Sequence, residues 1–270
     1  YRLIGYDRAH AKTPYASQLF GNTPDETLEK ARRCRLAGFR AVKFGWGVYG
    51  RSTVQADAEQ VAAARDGLEH DGILLIDAGT IWGEDVVAAQ QRLAALESQR
   101  VLWFEEPFVG DALHAYAALS ASCQSVRLAG GEGASNFHAA RNLIDHGQIG
   151  YVQIDTGRIG GIGPAKAVAD YAATQGVTYV NHTFTTHLAL AASLAPFAGV
   201  PAAELCEYPV EASRLAQELT EDRLDPVDGQ VMLNDRPGLG ISVSLETIRK
   251  YLVPVEMKVA GRIVYSTPEL

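Results

Sequence analysis

The sequence predicts a closed parallel barrel of alternating strands and helices, an α/β fold in one large domain. Three observations predict it. Short apolar runs recur at 73–77, 101–105 and 151–155, and each closes on an acid: Asp77, Glu105 and Asp155, with Glu132 just past the run that begins at Val126. These four acids lie 23 to 28 residues apart, the repeat of a strand–helix unit. The length, 270 residues, suits a barrel of about 250 residues. Parallel strands place their C-terminal ends on one face, so the acids converge at one mouth. That crowding is costly unless a cation sits among them.

Taken in order, 14–19 reads as a first strand. Thr23-Pro24-Asp25-Glu26 is a helix start, with Thr as cap, Pro in the first turn and acids behind it, and Gly38 stops that helix. The next strand is 39–44, carrying Lys43. A helix over 52–70 follows, with Val54, Ala58, Val61, Ala62 and Leu68 on one face. The Asp77 strand leads to a helix at 83–98, the Glu105 strand to one at 111–120, the Glu132 strand to one at 135–145, and the Asp155 strand to one at 164–174. A strand at 177–181 ends beside His182, a helix spans 186–198, and 204–207 is the last strand. Eight strands alternate with about seven helices, which argues a closed barrel over an open sheet. From Tyr208 onward the repeat stops, and 225–244 is rich in turn pairs.

The net charge of −8 argues against a nucleic-acid partner and leaves an anionic small substrate open. Cys34, Cys123 and Cys206 form no disulfide framework and no zinc spacing, and read as buried thiols of a reducing, cytoplasmic compartment. The start of the chain is mixed and polar, unlike a signal peptide. The longest apolar run, 188–203, is interrupted by Pro196, Gly199 and Pro201, so no membrane span is expected.

The beat of strand ends extends beyond the acids: Lys43, Asp77, Glu105, Glu132, Asp155, His182, Glu207. Three carboxylates suit a hard cation such as Mg²⁺, and Asp77, Glu105 and Glu132 come from adjacent strands. Zinc fits less well, since no His or Cys accompanies them. Asp155 beside His182 fixes a tautomer and raises its basicity, which makes a general base. A metal, a base and an acidic donor suit abstraction of a proton next to a carboxylate, with Lys43 stabilising the charge that forms.

The motifs Gly38-Phe39-Arg40-Ala41-Val42-Lys43, Ile76-Asp77-Ala78, Trp103-Phe104-Glu105-Glu106-Pro107, Gly131-Glu132, Val152-Gln153-Ile154-Asp155, Gly160-Gly161, His182 and Leu205-Cys206-Glu207-Tyr208 together resemble the barrel of the enolase superfamily, mandelate racemase subgroup. The resemblance covers nearly the whole chain. It implies a modified TIM barrel, (β/α)7β, over 1–208, with a C-terminal extension over 209–270. It implies one Mg²⁺ on Asp77, Glu105 and Glu132, a His182–Asp155 base, Glu207 as donor to the enediolate oxygen, and Lys43 at the substrate carboxylate. Trp46 and Asn181, beside strand ends, are expected to touch substrate as well. It also implies a homo-oligomer.

Two departures bear on the reaction. Members with two opposed bases carry Lys-x-Lys on the second strand, and here the second position is Gly45. A single base suffices for syn dehydration of an acid sugar to a 2-keto-3-deoxy acid, which is the expectation. A racemase, epimerase or cycloisomerase using Lys43 as the opposite acid is the alternative. The other departure is that the resemblance begins at the barrel, without the family's N-terminal capping domain. That leaves a third reading, an inactive fragment or a carboxylate-binding barrel.

Blander readings compete at several positions. Glu106 faces away from Glu105 by strand alternation. Glu204 rivals Glu207 for the last strand end. His187 reads as structural, and His10, His70, His114, His138 and His146 as surface or loop. The glycine cluster 157–163 mimics a phosphate loop without opening a dinucleotide fold. Trp82 either walls the pocket or packs in its loop.

Overall fold

The computed structural model describes residues 1–269. Eight parallel strands form the barrel: β1 (Thr13–Leu19), β2 (Ala41–Gly45), β3 (Ile73–Asp77), β4 (Val101–Glu105), β5 (Arg127–Gly130), β6 (Tyr151–Asp155), β7 (Thr178–His182) and β8 (Leu205–Pro209). Their hydrogen-bonded order is β7-β6-β5-β4-β3-β2-β1-β8, so the last strand pairs with the first and the sheet is nearly closed. The seam falls between β7 and β8.

Helices fill the connections: α1 (Pro24–Leu36), α2 (Val54–Leu68), α3 (Val86–Gln90) with α4 (Leu93–Ser98), α5 (Leu113–Ser120), α6 (Phe137–Gly147), α7 (Ile162–Thr174) and α8 (His187–Leu194). Local chemistry starts most of them. Thr23, Thr53, Asp85, Asn136 and Thr186 each accept a backbone N–H three residues on. Each such cap contributes about 1 kcal/mol. The single helix expected over 83–98 is two. Arg92 at the break turns inward, donating to buried Asp57 at 3.0 Å and to the Ala88 carbonyl at 2.9 Å.

Alternation along the strands divides the side chains into two cores. Tyr15, Ala41, Leu75, Trp103, Ala129 and Val180 pack on one another inside the barrel. Val42, Phe44, Leu74, Ile76, Phe104 and Ile154 belong to the larger outer core against the helices. The register then places the chemistry. Ser17 lies level with Lys43, Gly45 with Asp77, Asp77 with Glu105, and Asp155 with His182. One-residue shifts of this pairing would turn every such group outward.

The segment after β8 contains more order than its turn-rich composition suggested. It forms α9 (Arg214–Glu218), α10 (Leu245–Tyr251) and a hairpin of β9 (Glu256–Val259) and β10 (Arg262–Ser266). Part of it belongs to the barrel. Val231 pairs with Lys12 ahead of β1, and Leu224, Val231 and Leu233 are buried in the outer core. The hairpin, by contrast, is exposed along both strands. Among the described residues no helix is long and apolar enough to cross a membrane.

Candidate active site

A cavity of about 460 Å³ opens at the C-terminal ends of the strands, lined in part by Lys43, Gly45, Trp46, Asp77, Glu132, Arg158, His182, Phe184 and Glu207. Two charge clusters meet beneath it. In the first, Lys43 Nζ lies 2.6 Å from Glu105, 3.0 Å from Glu207 and 3.6 Å from Asp77. All four side chains are buried. Trp103 donates its indole N–H to the second oxygen of Glu105 at 3.0 Å. Burial pulls the Lys43 ammonium down, but Glu105 and Glu207 outweigh it and hold the pKa well above the usual lysine value. Burial and the neighbouring Glu105 push the Asp77 carboxyl far up. Burial raises Glu105 too, against the opposing pull of Lys43.

The second cluster centres on His182. Its Nδ1 lies 2.9 Å from Asp155 and its Nε2 lies 3.0 Å from Glu132 and 4.0 Å from Glu207. Burial disfavours the imidazolium, yet Glu207, Asp155 and Glu132 raise the pKa to about 10. Glu132 is correspondingly held down at about 2: burial opposes its charge, and His182, Lys43 and Arg158 outweigh that. Asp155 is fixed by its own loop, accepting from the amides of Gly157 at 2.8 Å and Arg158 at 3.0 Å. The glycine cluster therefore wraps Asp155 with its amides.

Most of the expected groups thus share one mouth: Lys43, Asp77, Glu105, Glu132, Asp155, His182 and Glu207. Trp46 lines the cavity, half-exposed and at φ 55. The placement of Asn181 corrects the expectation that it touches substrate. It is fully buried, and its amide bonds to the β8 backbone and Ser193. Alternation along β7 turns it away from the mouth that His182 faces. Trp82 packs between Tyr49 and Phe104. Glu106 lines a different cavity, behind the β4 and β5 loops, where burial and Glu132 raise it to about 7. Glu204 is exposed at the foot of β8. His187 accepts from the Leu224 amide, a packing role toward the tail.

Arg158 is the group the sequence did not single out. Its guanidinium donates to Glu132 at 2.8 Å across the cavity wall. Phe184 is likewise a lining residue, its ring 5.4 Å from that of His182. The only signal for either was nearness to a strand end.

Asp77, Glu105 and Glu132 offer oxygen donors alone, the set a hard cation such as Mg²⁺ takes. Their side-chain ends point to Lys43, His182 and Arg158 rather than to one point. Among the described residues no group of three or more His, Cys, Asp or Glu is already arranged to hold a metal. The donor chemistry and the crowding of buried carboxylates fit a divalent cation, provided the side-chain ends re-aim.

The family model of enolase C-terminal domain-like proteins matches residues 26–247. The chain belongs to that family. It is 28% identical to the D-galactarolactone cycloisomerase of Agrobacterium fabrum over 92% of this chain and 65% of that protein. It is 27% identical to the L-talarate/galactarate dehydratase of Salmonella typhimurium over 92% of this chain and 59% of that protein. The chain thus spans less than two thirds of the length of these curated relatives. A crystal structure described as a predicted mandelate racemase from Rhodobacter sphaeroides superposes with a TM-score of 0.95, at 55% identity, over 99% of this chain and 69% of that one. The curated relatives of this barrel are acid-sugar dehydratases and cycloisomerases by name.

Proposed function

We propose that this enolase-superfamily barrel belongs to a Mg²⁺-dependent acid-sugar dehydratase acting on an aldonate or aldarate. The observation that carries the reading is a base on one side only. His182, oriented by Asp155, faces the cavity from β7. The facing position on β2 is Gly45, where an added Cβ would lie 2.9 Å from the Asp77 Cβ and Oδ2. A second base there would need Asp77 to move.

In this reading Asp77, Glu105 and Glu132 would hold the cation, which would supply Lewis-acid stabilisation of the substrate carboxylate. Lys43 sits where it pairs with that carboxylate. With Nδ1 directed at Asp155, Nε2 of His182 removes the C2 proton, and the electron pair moves into the carboxylate as an enediolate. Were Glu132 to hold a cation, it would raise His182 less, leaving the imidazole nearer the neutral form a base needs. Glu207, when it carries a proton, donates to the enediolate oxygen. The pair then returns to expel the C3 hydroxyl, which leaves as water with the proton from His182. The resulting enol becomes a 2-keto-3-deoxy acid.

Screening acid sugars for keto-acid release identifies the substrate. His182→Asn should then lower turnover by about 10³-fold or more while divalent-cation binding persists; near-normal turnover would sink the mechanism. A second reading, a cycloisomerase with Lys43 as the opposite acid, is supported by Lys43 entering the cavity from β2, a different strand from that of His182, and by the Agrobacterium relative. Deuterium incorporation at C2 without keto-acid release would favour it. Both readings take a small carboxylate substrate and a homo-oligomer.

A further inference from the structure

The barrel is hydrogen-bonded strand to strand everywhere except between β7 and β8, where no ladder is found among the described residues. This is the gap across which the base and the acid face each other: His182 ends β7 and Glu207 lies in β8. Two strands without a ladder have no backbone bond to fix their register.

A side chain stands in for that ladder. Asn181 Oδ1 accepts from the Glu207 amide at 2.9 Å, and Asn181 Nδ2 donates toward the Glu207 carbonyl at 3.4 Å. One carboxamide thus presents to Glu207 the acceptor and donor a neighbouring strand would offer. Nδ2 also donates to Ser193 Oγ at 2.9 Å, and that hydroxyl donates to the Leu190 carbonyl at 2.9 Å in α8. The Asn181 rotamer is therefore braced from behind. In return, the Glu207 carboxylate accepts from the Thr183 amide at 2.6 Å. The residues on either side of His182 both grip Glu207, one by its backbone and one by its side chain. Asn181 and Ser193 are buried, so none of these bonds competes freely with water.

We infer that Asn181, braced by Ser193, is a positioning residue that closes the β7–β8 seam and sets the spacing between His182 and Glu207. It touches no substrate. The inference rests on the reading of His182 as base and Glu207 as donor, but its structural half stands apart from it. A seam loosened by about 1 Å misplaces two reacting groups together, which costs turnover more than binding.

The test uses the full chain in its native assembly, with Asn181→Ala, Ser193→Ala and His182→Asn side by side. Amide hydrogen exchange at Glu207 reads the seam without any substrate. Asn181→Ala should expose that amide to exchange, and unchanged protection would overturn the seam. On the acid sugar found by screening, Asn181→Ala should lower kcat by about tenfold to a hundredfold with KM within about twofold. If Asn181→Ala does not fold, Ser193→Ala carries the same test, with a kcat loss of about threefold at unchanged KM. A folded variant with unaltered kcat, beside a dead His182→Asn, would overturn the positioning role while sparing the base. An active His182→Asn would instead remove the base reading and leave the exchange result to judge the seam.

Discussion

At the scale of residues, the molecule spends its polar groups in closed sets. Lys43 neutralises buried acids at the mouth, and Asp57 with Arg92 does the same behind α2, at 3.0 Å. Glu97 is the surface counterpart. Its carboxylate accepts from the amides of Gln124 at 2.8 Å, Ser125 at 3.0 Å and Val126 at 3.3 Å, and from the Ser125 hydroxyl. Burial raises its pKa, and the bonds from Ser125, Gln124 and Val126 together outweigh that and lower it. A depressed acid stabilises the fold above its unfolded pKa of about 4.3 and loses that contribution as the pH falls through the lower folded value. The parent protein should therefore outmelt Glu97→Gln at neutral pH, and the gap in melting temperature should narrow and close as the pH falls below the ordinary carboxylate range. A gap independent of pH would mean the carboxylate charge contributes nothing. The strand-end residues Lys43, Asp77, Glu105, Asp155, His182 and Glu207 were legible in the sequence because a period of two inside a period of about 25 leaves few places for them. Arg158 was not, because a loop residue has no period to betray it.

At the scale of elements, the βα units were readable and their junctions less so. Apolar runs and turn signals located every barrel strand and the helical stretches between them, but missed α9 and α10 in the tail, and the break at Arg92 depended on a partner, Asp57, far away in sequence. A similar long-range device holds the floor of the barrel. Arg65, in α2, donates to the carbonyls of Gly72 at 2.7 Å, Gln99 at 2.9 Å, Glu69 at 3.1 Å and Arg100 at 3.2 Å. One guanidinium thus ties α2 to the turns that launch β3 and β4. Arg65→Met keeps the aliphatic stem and leaves those carbonyls without a donor, which should cost about 2–4 kcal/mol in urea denaturation. A loss below about 0.5 kcal/mol would mean water replaces the guanidinium at no cost.

At the scale of the whole molecule, the closed barrel collects acids from distant parts of the chain into a low-dielectric floor. In the proposed reading a divalent cation would relieve that crowding. Mg²⁺ at a hundred times its dissociation constant should stabilise the fold by about 2.7 kcal/mol, raising the melting temperature by about 5–10 °C over that in EDTA. Asp77→Asn should abolish that rise. An equal melting temperature with and without Mg²⁺ in the parent would remove the metal from the proposed reaction.

The sequence by itself determined the barrel class, the strand ends and the ionisable groups that close the strands, because hydrophobic period and strand alternation are local properties of the chain. Tertiary structure alone decided what those groups do to one another. It set Lys43 among three acids, turned Glu132 toward His182 and Arg158, pressed Gly45 against Asp77, and sent Asn181 to the seam rather than to substrate. Closure of the sheet is the physical reason. It brings residues more than a hundred positions apart within hydrogen-bonding distance, and no local pattern encodes which of them will meet.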